Sequence, residues 1–308
     1  MRHTILITND DGIEAPGLGE LVQGLHDEGY PLIICAPDRE RSASTMHITL
    51  HRLLTLRLRN DMLANFEFAE DGAPVWLFDL SGYPADCVLT ALGGGLPDGI
   101  PAPSLCVSGV NRGPNMSVDV LHSGTIGGAR QAACGGLPAI STSLDSFEPV
   151  DFQVAVKATI ELVNHVCQLI PAEPVNLGRV DGSSLKPKGG DEEEYLRNAL
   201  SLGDVFLNLN VPVDWNGVFS STHLGGRWYR GHTRVVEGGD GEWSVKIGAA
   251  TIVDEPIEHG DSHCIRQGRA SVSTLGTWPQ GHPLSISDEI LARTVTADGL
   301  PSWVVKGD

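Results

Sequence analysis

Basic residues are scarce in this 308-residue chain, where 21 Lys and Arg face 39 Asp and Glu for a formal charge of -18 at pH 7. So acidic a surface repels nucleic-acid backbones and anionic membranes, and no basic stripe offsets it, so no nucleic-acid polymer is expected as partner. Small phosphates still bind where a cation neutralises them locally. Long apolar runs are also missing: none approaches the roughly 18 residues of a membrane span, and the run beginning at Ile5 is too short for a signal peptide. No membrane association is expected, and a cytoplasmic location is the default. The six cysteines, at positions 35, 87, 106, 134, 167 and 264, stand singly with no C-x-x-C pair, which argues against a zinc ribbon and a disulfide framework. Several sit in apolar stretches such as Leu32-Ile33-Ile34-Cys35 and read as core thiols. There is no Walker loop, no G-x-G-x-x-G, no G-x-S-x-G elbow and no H-E-x-x-H helix, which disfavours triphosphate hydrolysis, dinucleotide binding, serine hydrolysis and zinc proteolysis.

What is present reads as α/β. Apolar content of 41% with Gly 37 and Pro 19 suits a turn-rich globular enzyme of one large domain, or one domain with an appended piece. Thr4 to Thr8 is a short β-rich run, a helix starting at Pro16 carries Leu18, Leu21, Val22 and Leu25 on one face, and Pro31 to Ala36 is a second buried strand. This β-loop-α-loop-β unit has the length of a right-handed parallel crossover. Alternation in Leu54-Thr55-Leu56-Arg57-Leu58 makes Ile48 to Phe78 a β excursion instead of another crossover. Helices are expected over Pro84–Leu92, Gly124–Cys134 and Val154–Leu169, and strands over Leu105–Ser108, Ala139–Ser143 and Val205–Pro212. Pro171 to Glu194, including Lys186-Pro187-Lys188-Gly189-Gly190, reads as a mobile surface loop. Trp228–Val236, Trp243–Ile247 and Ala270–Leu275 read as pieces of a turn-rich β-ribbon, of the kind that serves oligomer contacts. The expectation is a Rossmann-like three-layer αβα catalytic domain over 1–212 with a mostly parallel sheet, and a C-terminal β-rich extension over 213–308 that makes a homodimer or homotetramer.

Three loops carry candidate chemistry. Asn9-Asp10-Asp11-Gly12 follows the first strand, and adjacent carboxylates at a buried strand end repel unless a proton or cation lies between them. An ordinary Asx turn is the bland alternative, but the end of the first parallel strand is where open sheets bind ligands. Ala36-Pro37-Asp38 with Ser42 and Ser44 follows the second strand on the same edge, and a serine hydroxyl is a neutral oxygen donor suited to Mg²⁺-like ions. Ser108-Gly109-Val110-Asn111-Arg112-Gly113-Pro114-Asn115 follows a third strand, and Ser123-Gly124-Thr125 opens a helix whose N–H groups offer an anion cradle. His122 lies beside that cradle, although a lone histidine more often has a structural role. Trp215, Trp228 and Trp243 are candidates for stacking a base, with packing the commoner use.

At these residues the chain resembles the SurE family, stationary-phase survival proteins that act as 5′/3′-nucleotidases. The resemblance rests on Ile7-Thr8-Asn9-Asp10-Asp11-Gly12 with Ala15-Pro16-Gly17-Leu18, Ala36-Pro37-Asp38 with Ser42, Pro84-Ala85-Asp86-Cys87-Val88, Ser108 to Asn115, and His122-Ser123-Gly124-Thr125. Leu207-Asn208-Leu209-Asn210-Val211-Pro212 matches a later strand of the family. Where the family usually has Gly-Thr before Pro-Ala-Asp-Cys, this chain has Gly82-Tyr83, and a usual Ser-x-Thr-Pro-Leu reads Ser271-Val272-Ser273-Thr274-Leu275. The resemblance implies one divalent ion, Mg²⁺ or Mn²⁺, held by Asp10, Asp11, Ser42 and Asn111. It places Asn9, Asn115, Ser123, Gly124 and Thr125 around the phosphate of a nucleoside monophosphate. The expected reaction is hydrolysis to nucleoside and phosphate by a metal-activated water, with one of Asp10 and Asp11 accepting the proton and Asn9 at the reacting centre. The rival readings are a broad small-molecule phosphatase or exopolyphosphatase and a non-catalytic nucleotide-binding protein.

Overall fold

The computed structural model describes residues 2–148, 150–182, 191–248, 251–295 and 298–305. Its elements run β1 (Ile5–Thr8), α1 (Pro16–Asp27), β2 (Leu32–Pro37), β3 (Leu56–Leu58), α2 (Asn60–Leu63), β4 (Val75–Leu80), α3 (Pro84–Leu92), β5 (Leu105–Arg112), α4 (Gly124–Cys134), β6 (Ala139–Asp145), α5 (Gln153–Leu169), α6 (Glu192–Ser201), β7 (Val205–Pro212), β8 (Phe219–Thr222), β9 (Gly226–Arg230), β10 (Thr233–Gly239), β11 (Glu242–Ile247), β12 (Thr251–Glu255), α7 (Asp261–Ile265), β13 (Ala270–Gly276) and α8 (Asp288–Arg293). A nine-stranded sheet runs β3-β4-β2-β1-β5-β6-β7-β13-β8. Its six strands from β4 to β7 are mutually parallel, while β3 lies antiparallel on β4 and β13 antiparallel on β7.

Alternation along buried strands sends successive side chains to opposite faces, and two apolar clusters result. Ile5 and Ile7 pack with Leu18, Leu21 and Leu25 of α1 and Leu162 and Val163 of α5. Leu6 faces the other way, with Cys87 and Val88 of α3 and Ile126 and Ala129 of α4. This is the expected helix-sheet-helix layering. Cys35, Cys87, Cys106 and Cys264 are buried, Cys134 and Cys167 half-buried, and all six are free thiols.

Three expectations need correction. The region from Ile48 to Phe78 is not only an excursion, because β4 joins the parallel sheet beside β2. Its apolar run hides a buried Asp79, which accepts from Arg57 and Arg59 at 3.0 and 2.9 Å on the short edge strand and just beyond it. The strand Ala270–Leu275 belongs to the central sheet, not the ribbon. Its hydroxyls imitate an exposed strand, yet Ser271 and Ser273 are buried and share Thr222 Oγ1 at 2.9 and 2.8 Å. The loop expected through Glu194 ends earlier, since Asp191 caps α6 by accepting from the Glu194 N–H, and Glu192, Glu193 and Glu194 suit its positive end. Lys186 to Gly190 lies outside the described residues. The sheet runs across position 212, taking β8 and β13 from beyond it, whereas β9 with β12 and β10 with β11 form separate two-stranded ribbons. Among the described residues no helix is long and apolar enough to cross a membrane.

Candidate active site

The sheet reverses its winding at β1. One crossover from β1 leads to β2 on one side, while β5 pairs with β1 on the other, so the loops after these two strands diverge and open a crevice at the carboxyl edge. Asp11 lines one side of it, with the buried Asn9 and Asp10 just before it in the chain, and Asn111, at the end of β5, comes from the other.

Asn9 is wholly buried; its Nδ2 donates to the Gly12 carbonyl at 2.9 Å, while its Oδ1 has no partner among the described residues. Asp10 is 3% exposed, and its Oδ1 accepts from the Thr125 hydroxyl at 2.5 Å. Burial pushes its carboxyl up to about 6; the Thr125 hydroxyl opposes this and the neighbouring Asp11 adds to it. The half-buried Asp11 accepts from the Arg112 N–H at 3.1 Å, and burial also raises its carboxyl against the pull of that N–H and the Arg112 charge. Asn111 Oδ1 lies 3.2 Å from the same Thr125 hydroxyl, and its Nδ2 donates to the Gly113 carbonyl at 2.7 Å. The second loop is tied in by the Arg41 N–H donating to the Asp10 carbonyl at 2.6 Å. It brings Ser42 to the wall of a 490 Å³ cavity shared with Asp11, Asn111, Asn115 and Ser123, although the Ser42 hydroxyl itself donates to Glu40 at 3.0 Å.

The start of α4 serves Asp10 more than the sequence suggests. Ser123 Oγ caps the helix by accepting from the Ile126 N–H at 3.1 Å, and both the hydroxyl and the backbone N–H of Thr125 are directed at the Asp10 carboxylate. Gly124 permits this approach: a Cβ there would lie 2.7 Å from Asp10 Oδ2 and 2.5 Å from the buried, unpartnered Ser44 hydroxyl. The Thr125 side chain is therefore spent on the carboxylate, and the helix start offers a phosphate fewer donors than expected. Asn115 is fixed from β7, since its N–H donates to Asn210 Oδ1 at 2.7 Å and its carbonyl accepts from Asn208 and Asn210. The Asn-x-Asn spacing of β7 puts both amides on one face of the strand. His122 lines the same cavity and is exposed.

The donor set fits a hard divalent ion. Two raised carboxyls, neighbours in the chain, and the neutral oxygens of Ser42 and Asn111 stand at one crevice, where a cation would reverse the cost of burying charge. Among the described residues no group of three or more His, Cys, Asp or Glu is gathered, so the oxygens of amides, hydroxyls and water must complete any coordination shell, the pattern of Mg²⁺ and not of a closed zinc site. Sequence reasoning gave no role to Glu40, Asp119, Phe147 or Tyr229, which all line the cavity. Phe147 and Tyr229 arrive from a loop and a ribbon without any local motif. The tryptophans take no part: Trp215 donates to the Val218 carbonyl and packs edge-on against Phe219, Trp228 donates to Glu255, and Trp243 is exposed. Tyr83, the departure from the family pattern, packs against His47 and Arg41, beside the second loop and away from Asp10.

A Rossmann-like sheet with acid and amide oxygens gathered at its switch point, against a helix start, defines a phosphate-handling α/β protein. The chain belongs to the family described as Survival protein SurE, which it matches over residues 5–231. It is 31% identical to the 5′-nucleotidase SurE of Desulfitobacterium hafniense over 278 residues, 88% of this chain and 90% of that one. It is 43% identical to the 5′-nucleotidase SurE of Desulforudis audaxviator over 151 residues, 49% of this chain and 54% of that one. In fold it resembles the crystal structure of the SurE protein from Aquifex aeolicus, with a TM-score of 0.61 at 23% identity over 91% of this chain and 95% of that one.

Proposed function

We propose that this chain is a metal-dependent 5′-nucleotidase, acting also on 3′-monophosphates, that hydrolyses nucleoside monophosphates to nucleoside and phosphate. The observation that carries the reading is the buried Asp10, joined through the Thr125 hydroxyl to Asn111, which with Asp11 lines the 490 Å³ polar cavity. Family membership and the names of the relatives support the substrate class.

Asp10, Asp11, Ser42 and Asn111 would hold one Mg²⁺ or Mn²⁺. When bound, such an ion lowers the pKa of a water and neutralises phosphate oxygens. The chain's own groups supply the rest. Asn9 Oδ1, which has no partner among the described residues, would accept from the attacking water and orient it. Asp11, the more accessible carboxylate, is placed to take its proton. Asn115, Ser123 and Gly124 surround the phosphate, with the positive end of α4 behind them. A homodimer, or a tetramer built from dimers, and a cytoplasmic location complete the proposal.

The test is phosphate release from AMP and GMP after EDTA treatment, followed by return of Mn²⁺ or Mg²⁺. Activity that appears only on metal return supports the proposal. Equal release with and without metal, or none under either condition, overturns it.

A further inference from the structure

The polar cavity continues into a second one. His122, Phe147 and Tyr229 line both, and the second encloses 630 Å³ with Val118, Ile247 and Ile252 among its other walls. The first is lined by carboxylates, amides and hydroxyls; the second has no Asp, Glu, Lys or Arg in its lining. Each volume falls in the ~300–1,000 Å³ range of small-molecule sites. A nucleoside monophosphate has the same two-part character: a dianionic end and a flat, π-faced end joined by a sugar.

We infer that the apolar cavity receives the nucleoside, and that Phe147 and Tyr229, at the junction, select nucleotides over smaller phosphomonoesters. The inference rests on the nucleotidase reading and deepens it. Both rings are attached to the phosphate side of the site. A Cβ on Gly113 would lie 2.7 Å from Phe147 Cε1, so the Phe147 ring fills that residue's side-chain space, directly on the loop between Asn111 and Asn115. Phe147 is nevertheless 61% exposed, an aromatic face held at a cavity mouth. The Tyr229 hydroxyl donates to Asp119 Oδ1 at 2.7 Å, in the turn that leads into Ser123, which fixes the direction of its ring. Ile252, the cross-strand partner of Tyr229 in the β9/β12 ribbon, continues the apolar wall beside it. That ribbon becomes part of the substrate site. None of the three tryptophans considered for stacking lines either cavity.

Base-aromatic stacking is lost on alanine substitution by roughly tenfold or more in affinity. The experiment compares the full-length protein, Phe147→Ala, Ile252→Ala and Phe147→Tyr in steady-state hydrolysis of AMP and of glycerol phosphate, which has no base, with Mn²⁺ present. The two alanine variants are expected to lower the ratio of kcat/KM for AMP to that for glycerol phosphate about tenfold, chiefly through KM, and Phe147→Tyr to restore it. Adenosine should compete with glycerol phosphate in the parent protein and lose about tenfold in potency in Phe147→Ala. An unchanged ratio, or equal losses on both esters, overturns the inference while the nucleotidase reading stands. A parent protein inert on both esters overturns that reading and this one with it.

Discussion

Asp10 differs from an ordinary turn aspartate in what surrounds it: it is almost wholly buried, yet its strongest partner is a threonine hydroxyl and not a cation. Asp10→Asn and Asp11→Asn keep shape and remove charge. Each is expected to reduce metal-stimulated phosphate release by more than about 100-fold while the far-ultraviolet circular dichroism stays as in the parent. Turnover like the parent's in both variants would remove the acids from the site. Thr125 acts one step further out, since its hydroxyl connects Asp10 to Asn111. Replacement of such supporting groups costs about 10–100-fold in metal affinity or activity, so Thr125→Val, Ser42→Ala and Asn111→Ala should each move the metal midpoint upward more than they move KM for AMP at saturating metal. A metal titration of activity separates the two, and unmoved midpoints would place Ser42 and Asn111 outside the coordination sphere and deny Thr125 a part in supporting it. Asn9, Asp10, Asp11 and Asn111 were legible because each sits at the end of a strand that its own apolar run announces. The placement of Thr125 on Asp10 was not, because the two are 115 residues apart and only the packing of α4 against β5 and β6 brings them together.

Strands and helices whose apolar pattern is local were read correctly: β1, β2, β5, β6 and β7, and the amphipathic α1 and α5. Where polar groups enter a buried element, the pattern misleads, as with Asp79 in β4 and the hydroxyls of β13. The β9/β12 ribbon shows the same effect in another form. Arg227 is buried on β9, and its Nε and Nη2 bond Asp254 of β12 at 2.7 and 3.0 Å, with Arg266 also on that carboxylate at 3.0 Å. Burial alone would raise the Asp254 carboxyl, but the bonds and charges of Arg227 and Arg266 outweigh it and hold Asp254 below the usual carboxylate range. The folded form therefore binds this proton less readily than the unfolded form. The stabilisation is present above the ordinary aspartate value, near pH 4, and is lost as pH falls below it. The arginines stay charged throughout. Asp254→Asn leaves Asp119, 3.9 Å away, as the remaining ion-pair partner of Arg227 among the described residues, and removing one partner of a buried pair costs about 3 kcal/mol or more. Urea unfolding at pH 7 and pH 3 checks this: the parent should lose more stability between the two than the variant, and equal losses would show that the pair contributes nothing.

At the scale of the molecule, the acidic composition is met by a site with few cations of its own, and the proposed divalent ion would offset that charge for a phosphate. The layering and the mostly parallel sheet were legible from the succession of crossovers, but the extent of the C-terminal part was not, since two of its strands return to the central sheet. What remains outside are the β9/β12 ribbon and the β10/β11 hairpin, the latter closed at its base by the Gly248 N–H donating to the His232 carbonyl at 2.8 Å. Val235 pairs with Val245 and Thr233 with Ile247, so Val235, Val245, Ile247 and Trp243 share one face, and they are 59%, 53%, 76% and 67% exposed. A two-stranded ribbon is marginal alone, and an apolar face on it loses surface to water only by packing on something further. A second copy of the chain is the expected cover, because closed symmetric assemblies dominate among soluble proteins. The parent protein should then be a dimer, or a tetramer of dimers, in light scattering at micromolar concentration, and Val235→Glu with Val245→Glu should shift it to monomer. Both residues are exposed and lie outside the polar cavity, so the monomer should keep its circular dichroism spectrum and its metal requirement. A parent that is already monomeric, or a double variant that assembles as before, would mean that this face is not the contact between subunits.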